Sequence, residues 1–350
     1  MSSGVPSTPA ANGYVWPAEW ERHDATWLSW PHDPVTWPDR VPKAELAFEQ
    51  MIRALAPGER IELLCNGEAV EQRARDHLKG VENVRFHRVT VADSWTRDYG
   101  PTFVVRKQGR KKELGAVKWI FNAWGDKYDT LLPDDGVGKW VAQQVGCPTF
   151  QPGIVLEGGS IETDGEGTLL TTEQCLLNKN RNPGRSRSDL ERVLTDHLGV
   201  AKVLWLGDGI AGDDTDGHID DISRFVGPGI VLTAIEADPD HPNHEPLQAN
   251  VDRLREMTDA KGRDLWVIEM PMPGDVEDDE GEPLPASYMN FYVGNAAVVL
   301  PVFGHKNDAK AKRILSELFP DRKVVPIRCE DLVYGFGALH CVTQQQPAVP

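Results

Sequence analysis

The stretch that decides the fold reads I-V-L-E-G-G-S-I-E-T-D-G-E-G-T-L-L-T-T and runs from Ile154 to Thr172. Two apolar-rich runs flank the turn residues Asp-Gly-Glu-Gly at 164–167, and this pattern predicts a β-hairpin. Downstream, the sequence predicts a helix over residues 188–198 and a strand over residues 202–206. The stretch therefore belongs to one predicted unit in the order strand, strand, helix, strand.

The same order of elements returns twice further along the chain. One predicted unit has its two strands, helix and strand at residues 218–226, 230–235, 245–260 and 265–269. The next has them at residues 288–293, 296–302, 308–318 and 323–328. Equivalent strands begin roughly 60 to 70 residues apart, a spacing that favours internal repetition.

The first 150 residues have room for two more such units. We predict strands and helices at residues 25–30, 44–56 and 61–64, and again at residues 102–105, 117–121 and 136–144. About five repeated units predict an α/β fold closed in a radial arrangement, rather than a Rossmann sheet of single strands alternating with helices. No G-x-G-x-x-G follows a predicted strand and no Walker A sequence occurs, so the sequence does not support a nucleotide site.

Charge and cysteine usage exclude several classes of protein. Lys and Arg number 37 against 54 Asp and Glu, which gives a net charge of −17. This sign is wrong for binding nucleic acid or an anionic membrane and would attract cations. No apolar run approaches the ~20 residues that cross a bilayer. The five cysteines are scattered without a C-x-x-C pair, which argues against a disulfide framework and a zinc ribbon.

The N-terminal residues 1–13 are rich in Ser, Pro, Ala and Gly. They lack the basic and then apolar layout of a signal peptide, so we expect a cytoplasmic protein. We predict a flexible tail over residues 1–13 and a single catalytic domain over residues 14–350. The acidic, Pro- and Gly-containing segment 272–286 is expected to be an exposed loop, either a solvated connection or a mobile rim of a site.

The densest polar cluster is G-D-D-T-D-G-H-I-D-D, from Gly212 to Asp221. If a strand begins at His218, alternation places His218 and Asp220 on one face. An Asp-rich turn before a surface strand is the alternative. A divalent metal is a further alternative, although the EF-hand register fails here and no H-E-x-x-H occurs.

Two more carboxylates stand in informative settings. Asp98 lies in W-T-R-D-Y-G-P, just before a predicted strand, where catalytic groups often occur. A structural salt bridge with Arg97 is the alternative. Glu157 follows apolar residues and precedes two glycines, which predicts a partly buried carboxylate with a specific partner. A buried structural ion pair would give the same pattern.

Cys341 has the most polar and most constrained setting of the five cysteines, whereas Cys65 and Cys175 have apolar neighbours typical of a core. A thiol, a histidine and several carboxylates are the ingredients of nucleophilic thiol catalysis. A cysteine protease would supply the thiol and the imidazole but would not explain the surplus acids. Facing carboxylates are costly unless a cation lies between them, which points to a guanidino substrate.

Seven motifs occur in the same order as in the agmatine deiminases, which the chain closely resembles from about residue 14 onwards. They are W-P-A-E-W-E-R-H-D-A-T-W-L-S-W-P (16–31), W-T-R-D-Y-G-P (95–101), F-N-A-W-G-D-K-Y (121–128), L-E-G-G-S-I (156–161), L-L-T-T-E-Q-C-L-L-N-K-N-R-N-P (169–183), G-D-D-T-D-G-H-I-D-D (212–221) and H-C-V-T-Q-Q-Q-P (340–347). This family belongs with the bacterial peptidylarginine deiminases in the guanidino-modifying, or pentein, superfamily. The resemblance implies a five-fold pseudosymmetric α/β propeller.

The resemblance also implies functions for individual residues. Cys341 would be the nucleophile and His218 the general acid and base. The remaining implied site residues hold or orient the substrate or His218: Asp98 and Asp220 as the guanidinium clamp, Glu157 as the carboxylate that orients His218 and contributes to the clamp, Asp214 as a further substrate contact and Trp95 along the aliphatic chain. No metal and no organic cofactor are implied.

The implied reaction converts agmatine into N-carbamoylputrescine and ammonia through an amidino-cysteine, within putrescine biosynthesis. The expected partner is thus a small cationic guanidino compound, and a homo-oligomer is left open. Asp126 stands where a glycine is common in the family, and Phe336 and Ala338-Leu339 alter the glycine-rich approach to the nucleophile. A free-arginine or peptidylarginine deiminase, a silent guanidine-binding protein and a metal-dependent amidine hydrolase are the alternatives.

Overall fold

The computed structural model describes residues 8–108 and 111–349, and its strands form five small sheets. The strands are β1 (His23–Ser29), β2 (Arg60–Cys65), β3 (Val84–Arg88), β4 (Thr102–Gln108), β5 (Lys111–Val117), β6 (Thr149–Phe150), β7 (Ile161–Thr163), β8 (Thr168–Thr172), β9 (Lys202–Leu206), β10 (Ser223–Gly227), β11 (Ile230–Ile235), β12 (Trp266–Pro271), β13 (Tyr292–Val293), β14 (Ala297–Val302), β15 (Lys323–Arg328) and β16 (Gln344–Pro347). The α-helices are α1 (Val41–Leu55), α2 (Glu68–His77), α3 (Thr96–Tyr99), α4 (Ala123–Asp126), α5 (Asp135–Val145), α6 (Glu173–Leu176), α7 (Arg187–Leu198), α8 (His244–Glu256) and α9 (Asp308–Leu318).

Four sheets repeat one topology, in the orders β4–β5–β6, β7–β8–β9, β10–β11–β12 and β13–β14–β15. In each, the first two strands are antiparallel and the last two are parallel. A helix joins the two parallel strands, as a parallel pair requires. The repeated strand–strand–helix–strand unit predicted from the sequence is therefore confirmed.

The fifth sheet combines both ends of the described chain. β16 pairs antiparallel with β1, and β1 pairs parallel with β2 after the crossover through α1. β16 thus takes the place that the first strand has in the other sheets, and β3 adds a fourth strand. The prediction of an α/β fold with five units is confirmed.

Local sequence accounts for the crossover helices, of which α7 is a clear example. Ser186 and Asp189 form a reciprocal capping box at its start, which satisfies backbone N–H groups that have no helical partner. Leu190, Leu194 and Leu198 are buried at four-residue spacing. Gly199 ends the helix with φ +66°, a conformation that costs glycine little.

Several predicted boundaries were wrong. The strand predicted at 218–226 begins only at Ser223, because residues 219–221 form a 3₁₀ turn closed by the Ile222 N–H on the Ile219 carbonyl. The strand predicted at 154–163 shrinks to β7 in the same way, after a 3₁₀ turn at Gly158–Ser160. Residues 118–121 lie beyond β5, and β13 is shorter than the predicted 288–293.

The segments expected to be exposed or flexible differ from one another. In the loop 272–286 the middle is exposed while both ends are buried, and Arg40 Nη2 lies 2.8 Å from its Asp279. Of residues 1–13, the first seven lie outside the described residues, and Ala10–Asn12 form a 3₁₀ turn. The flexible tail and the single domain over 14–350 stay predictions.

None of the described helices has the length and apolar character needed to span a membrane.

Candidate active site

The candidate site residues occupy equivalent places in the repeated units. Each lies in the short turn that precedes the first strand of a sheet: Asp98 before β4, Glu157 before β7, His218 and Asp220 before β10, Asn290 before β13 and Cys341 before β16. All six residues are buried. The repeat therefore brings one turn from each sheet to a common place, although these turns are far apart in sequence.

Asp98 lies close to His218 and has two neutral hydrogen-bond donors. Asp98 Oδ1 is 3.8 Å from His218 Nδ1 and accepts a hydrogen bond from the Gly159 N–H over 3.0 Å. Its other oxygen accepts from Trp124 Nε1 over 2.9 Å. Burial, with Asp220 and Glu157 nearby, raises the pKa of Asp98 to about 6, although His218 opposes this shift. The carboxylate is thus held in place without a resident cation other than His218.

His218 lies between two carboxylates, and neither ring nitrogen has a hydrogen-bond partner among the described residues. Nδ1 faces Asp98, and Nε2 is 3.9 Å from Glu157 Oε2. Burial favours the neutral ring, but Asp98, Cys175 and Glu157 together hold the pKa of His218 well above its usual value. These neighbours therefore favour the protonated ring, which can donate a proton.

Glu157 is fixed by a buried guanidinium. Its Oε1 accepts from Arg181 Nε over 2.6 Å, and Arg181 also bonds Asp216 and the Thr215 carbonyl in the loop before His218. Burial would raise the pKa of Glu157, but Arg181 and His218 hold it below its usual value. Arg181 thus joins the turn of Glu157 to the loop that carries His218.

Cys341 is 4% exposed and lies at the wall of a cavity. Asn290 Nδ2 donates to its Sγ over 3.1 Å, and Asp220 Oδ2 is 3.9 Å from the same sulfur. Burial and the carboxylates Asp220, Asp221 and Asp98 raise the pKa of the thiol well above its usual value. The resting thiol is therefore protonated, and a cation in the site would favour the thiolate.

Asp220 is held from behind by His340. His340 Nδ1 lies 2.6 Å from Asp220 Oδ2, and His340 Nε2 lies 2.8 Å from Glu19 Oε2. Burial would raise the pKa of Asp220, but His340 and His218 hold it below its usual value. Its Oδ1 has no hydrogen-bond partner among the described residues. One ionised oxygen is thus left for a ligand.

The site opens into a cavity of about 180 Å³ that is lined by aromatic and acidic side chains. Asp214 lines it and accepts from the Tyr128 hydroxyl over 2.6 Å. Trp95 lines it as well, and its Nε1 donates to Asp93 Oδ2 over 2.9 Å. Asp214 and Trp95 therefore lie on the wall of the same cavity as Asp98 and Cys341.

The structure brings all seven predicted site residues together, but it also places there several that the sequence did not single out. Asn290, His340, Arg181 and Trp124 each bond a predicted site residue directly. The motifs that carry the family resemblance include His340, which immediately precedes Cys341, and also Arg181 and Trp124. Cys175, interpreted as core, is buried but lies against His218 and Glu157.

Two of the three departures from the family pattern, Asp126 and Phe336, coincide with unusual backbone. Asp126 has φ +61° and Phe336 has φ +68°, in the left-handed region that favours glycine. Phe336 lines the cavity five residues before the nucleophile. Each non-glycine side chain therefore costs some backbone strain in a segment that shapes the site.

Two groups of buried donors could approach a metal ion. They are Glu157 with Cys175 and His218, and Asp220 with Asp221 and Cys341. In the first group one Glu157 oxygen is already bonded by the Arg181 guanidinium, which would repel a cation. The predicted lack of a metal stays a prediction, and the metal alternative calls for a direct test.

Comparison with known proteins agrees with this geometry. Residues 15–347 match the family described as Porphyromonas-type peptidyl-arginine deiminase. An agmatine deiminase of Ectopseudomonas mendocina is 41% identical over 364 residues, covering 98% of both chains. The structure of an agmatine deiminase of Enterococcus faecalis superposes with a TM-score of 0.91 at 35% identity, covering 99% of each chain. An agmatine deiminase of C. jejuni with substrate bound gives a TM-score of 0.86 at 27% identity, covering 96% of this chain and 97% of that one. On sequence and fold alike, this chain belongs to the Porphyromonas-type peptidyl-arginine deiminase family.

Proposed function

We propose that the protein hydrolyses the guanidinium group of agmatine to N-carbamoylputrescine and ammonia. One observation carries the proposal: the buried thiol of Cys341 lies in a site with three carboxylates, and Asp220 Oδ1 and Glu157 Oε2 have no hydrogen-bond partner among the described residues. A guanidinium is planar, cationic and a donor on every edge, so it complements these atoms. Relatives that match nearly the whole chain are agmatine deiminases.

The cavity favours agmatine over arginine. Among the described residues that line it are four aspartates, Asp33, Asp93, Asp98 and Asp214, and no Lys, Arg or His. The α-carboxylate of arginine would be repelled by these aspartates, whereas the ammonium of agmatine would be attracted to them. We therefore assign a substrate with a cation at each end.

The first half of the proposed reaction forms a covalent intermediate. Asp98 and Asp220 hold the guanidinium in plane, and its charge favours ionisation of the Cys341 thiol, whose proton passes to solvent. The thiolate attacks the central carbon to give a tetrahedral adduct. His218, as imidazolium, protonates one amino group, which leaves as ammonia, so that an amidino-cysteine and a neutral imidazole remain.

The second half regenerates the thiol group. The neutral His218 takes a proton from water as the oxygen bonds to the amidino carbon. Cleavage of the carbon–sulfur bond then releases Cys341 as a thiolate and the product as a protonated urea. The urea gives its extra proton to ammonia, which leaves as ammonium, and the thiolate takes a proton back from solvent. Glu157, held by Arg181, keeps His218 oriented through both steps.

The test is an assay for ureido product and ammonia on the purified protein. Agmatine, free arginine and an internal-arginine peptide are compared, with Cys341→Ala as the inactive variant and Cys147→Ala, a half-buried thiol away from the cavity, as control. We expect turnover of agmatine that Cys341→Ala loses while still binding it, and mass spectrometry of quenched wild type should show an amidino adduct on Cys341.

The other outcomes of this assay are equally clear. Preference for arginine or the peptide would contradict the assignment of agmatine. A Cys341→Ala variant with substantial turnover would remove Cys341 as nucleophile. We expect EDTA to leave activity unchanged, and a loss that one divalent ion reverses would establish the metal alternative.

The wider setting belongs to the same proposal. N-carbamoylputrescine is a carbamoylated diamine, so we place the reaction in putrescine biosynthesis. We also place the protein in the cytoplasm. The absence of nucleic-acid partners stays a prediction, and the oligomeric state is left open. Size-exclusion chromatography with light scattering measures the oligomeric state directly.

A further inference from the structure

A row of alternating acidic and basic side chains leads from Asp220 into the interior. His340 lies between Asp220 and Glu19, at 2.6 Å from one and 2.8 Å from the other. Glu19 in turn contacts Arg224 Nη2 over 3.0 Å and Arg97 Nη2 over 3.4 Å. None of the five side chains is more than 4% exposed. Their charges therefore interact with little screening by solvent.

The two carboxylates determine the charge of the His340 ring. An ionised carboxylate oxygen accepts hydrogen bonds and donates none. Nδ1 faces such an oxygen of Asp220, and Nε2 faces one of Glu19. Because a neutral imidazole carries only one N–H, both contacts are satisfied only by the doubly protonated ring. The charges along the row are then negative on Asp220, positive on His340 and negative on Glu19.

Asp220 needs a cation behind it because its other near neighbours are mostly acidic. Asp98, Asp221 and the Cys341 sulfur all face the same space. Carboxylates this close do not all remain ionised without positive charge between them. Before substrate arrives, His340 is the cation in direct contact with Asp220.

We propose that His340 and Glu19 are positioning residues for Asp220, which together keep its carboxylate ionised and leave Oδ1 free for the substrate guanidinium. This inference rests on the clamp function proposed above for Asp220. His340 acts on Asp220 by direct contact, and Glu19 acts through His340 by stabilising its charge. Neither is among the described residues that line the cavity.

Other titratable groups face this row and share in its pH dependence. They are Asp98, Asp221, His218, Cys341, Glu162, Tyr292 and Arg322. Glu19→Gln keeps the shape and the carbonyl acceptor of Glu19 but removes one negative charge. A change in pH dependence with this variant therefore reports on the row itself.

The experiment compares Glu19→Gln and His340→Gln with Glu45→Gln in the full chain. Glu45 is a matched control, since it is also 4% exposed and accepts from Trp30 Nε1 and Arg73 Nε over 2.8 Å each. For both test variants we expect the KM for agmatine to rise about tenfold or more, with a smaller change in kcat. Below pH 6, where Asp98 already loses its charge in the wild type, kcat/KM of these variants should fall more steeply with pH, because Asp220 is protonated more easily.

A second measurement does not depend on turnover. Nitrogen NMR of the histidine rings in the wild type, with the His340 signals identified by their loss in His340→Gln, should show both ring nitrogens protonated at pH 7. A neutral His340 ring would overturn the inference, and this result is available even where Glu19→Gln does not fold.

The remaining outcomes separate the two proposals. An unchanged KM and pH profile in Glu19→Gln would overturn the inference while the proposed function stands. A raised KM with an unchanged pH profile would mark a structural defect and would also overturn it. A wild type without agmatine turnover would overturn the proposed function, and the NMR spectrum would still decide the charge of His340.

Discussion

Gly159 lies where the candidate site has no room for a side chain. A Cβ at this position would be 2.6 Å from His218 Nδ1, 2.9 Å from Asp98 Oδ1 and 3.0 Å from Asp220 Oδ2. The absence of a side chain thus leaves the space that the clamp carboxylates and the imidazole share. The same backbone N–H that approaches so closely also bonds Asp98.

We expect Gly159→Ala to reduce kcat/KM for agmatine by about a hundredfold or more, because its methyl group occupies the place of the guanidinium. Gly136→Ala is the control, since a Cβ there meets nothing within 4 Å in the exposed first turn of α5. That substitution should raise the free energy of unfolding by about 0.5–1 kcal/mol. Wild-type kinetics in Gly159→Ala would show that the substrate does not use this space.

The raised pKa of Asp98 gives a pH dependence with a defined sign. Only the ionised carboxylate attracts a guanidinium, and the pKa of Asp98 is about 6. As the pH falls through 6 the carboxylate is protonated, so kcat/KM should fall about tenfold between pH 7 and pH 5. Initial rates at low agmatine concentration measure this limb, and a flat profile over the same range would contradict the assignment.

Among the elements, those with a regular apolar pattern could be predicted to the residue. α9 and β15 have the predicted bounds, because Ala311 and Leu315 mark one buried face of α9 and the turn after it is short. α2 was missed, since its apolar buried residues are only Val70 and Ala74 among charged ones. The 3₁₀ turns that immediately follow Glu157 and His218 depend on local backbone hydrogen bonds, which a two-residue period does not reveal.

The loop before β10 and the turn before β7 depend on Arg181 for their relative position. We expect Arg181→Met to lower the free energy of unfolding by about 3 kcal/mol or more, because Glu157 is then left buried without its counter-charge. We expect kcat to fall as well, because His218 loses its oriented partner.

The control for this variant is Arg313→Met. Arg313 pairs with Glu317 at 4.0 Å on the surface of α9, and its removal should change stability by less than about 1 kcal/mol. Chemical denaturation followed by circular dichroism compares the two variants. Equal stability of both would mean that Glu157 does not require the Arg181 charge.

In the molecule as a whole, β16 closes the fifth sheet by pairing with β1, and this makes the site dependent on one four-residue strand. Trp27 Nε1 donates to Gln346 Oε1 over 3.0 Å, and Arg97 Nη1 donates to Gln345 Oε1 over 2.8 Å. β16 begins three residues after Cys341. The pairing with β1 therefore fixes the turn that carries the nucleophile.

We expect removal of residues 344–350 to lower the Tm and abolish turnover, because β1 loses its antiparallel partner and the Cys341 turn loses its anchor. Deletion of residues 2–7 is the control and should change neither. Differential scanning calorimetry and the ammonia assay provide the two readouts. A shortened chain with wild-type Tm would show that β16 is dispensable for the fold.

The sequence predicts the main site residues but not the buried charged residues that contact them. Asp98, His218 and Cys341 stand in short motifs whose residue types already suggest their chemistry. Glu19 and His340 meet only because β1 and β16 pair, and a single sequence contains no signal for that meeting. Buried ion pairs between sheets are a property of the assembled fold, and so the structure was needed to find them.

The pairing of His23 with Pro347 also bears on how the protein reaches its native state. Most strand contacts join neighbours within one unit, whereas this one spans almost the whole described chain, and contacts of high sequence separation form late and slowly. We therefore expect the thiol of Cys341 to enter the site only when β16 pairs with β1. During refolding from denaturant, recovery of catalytic turnover should therefore lag behind recovery of helical and strand signal.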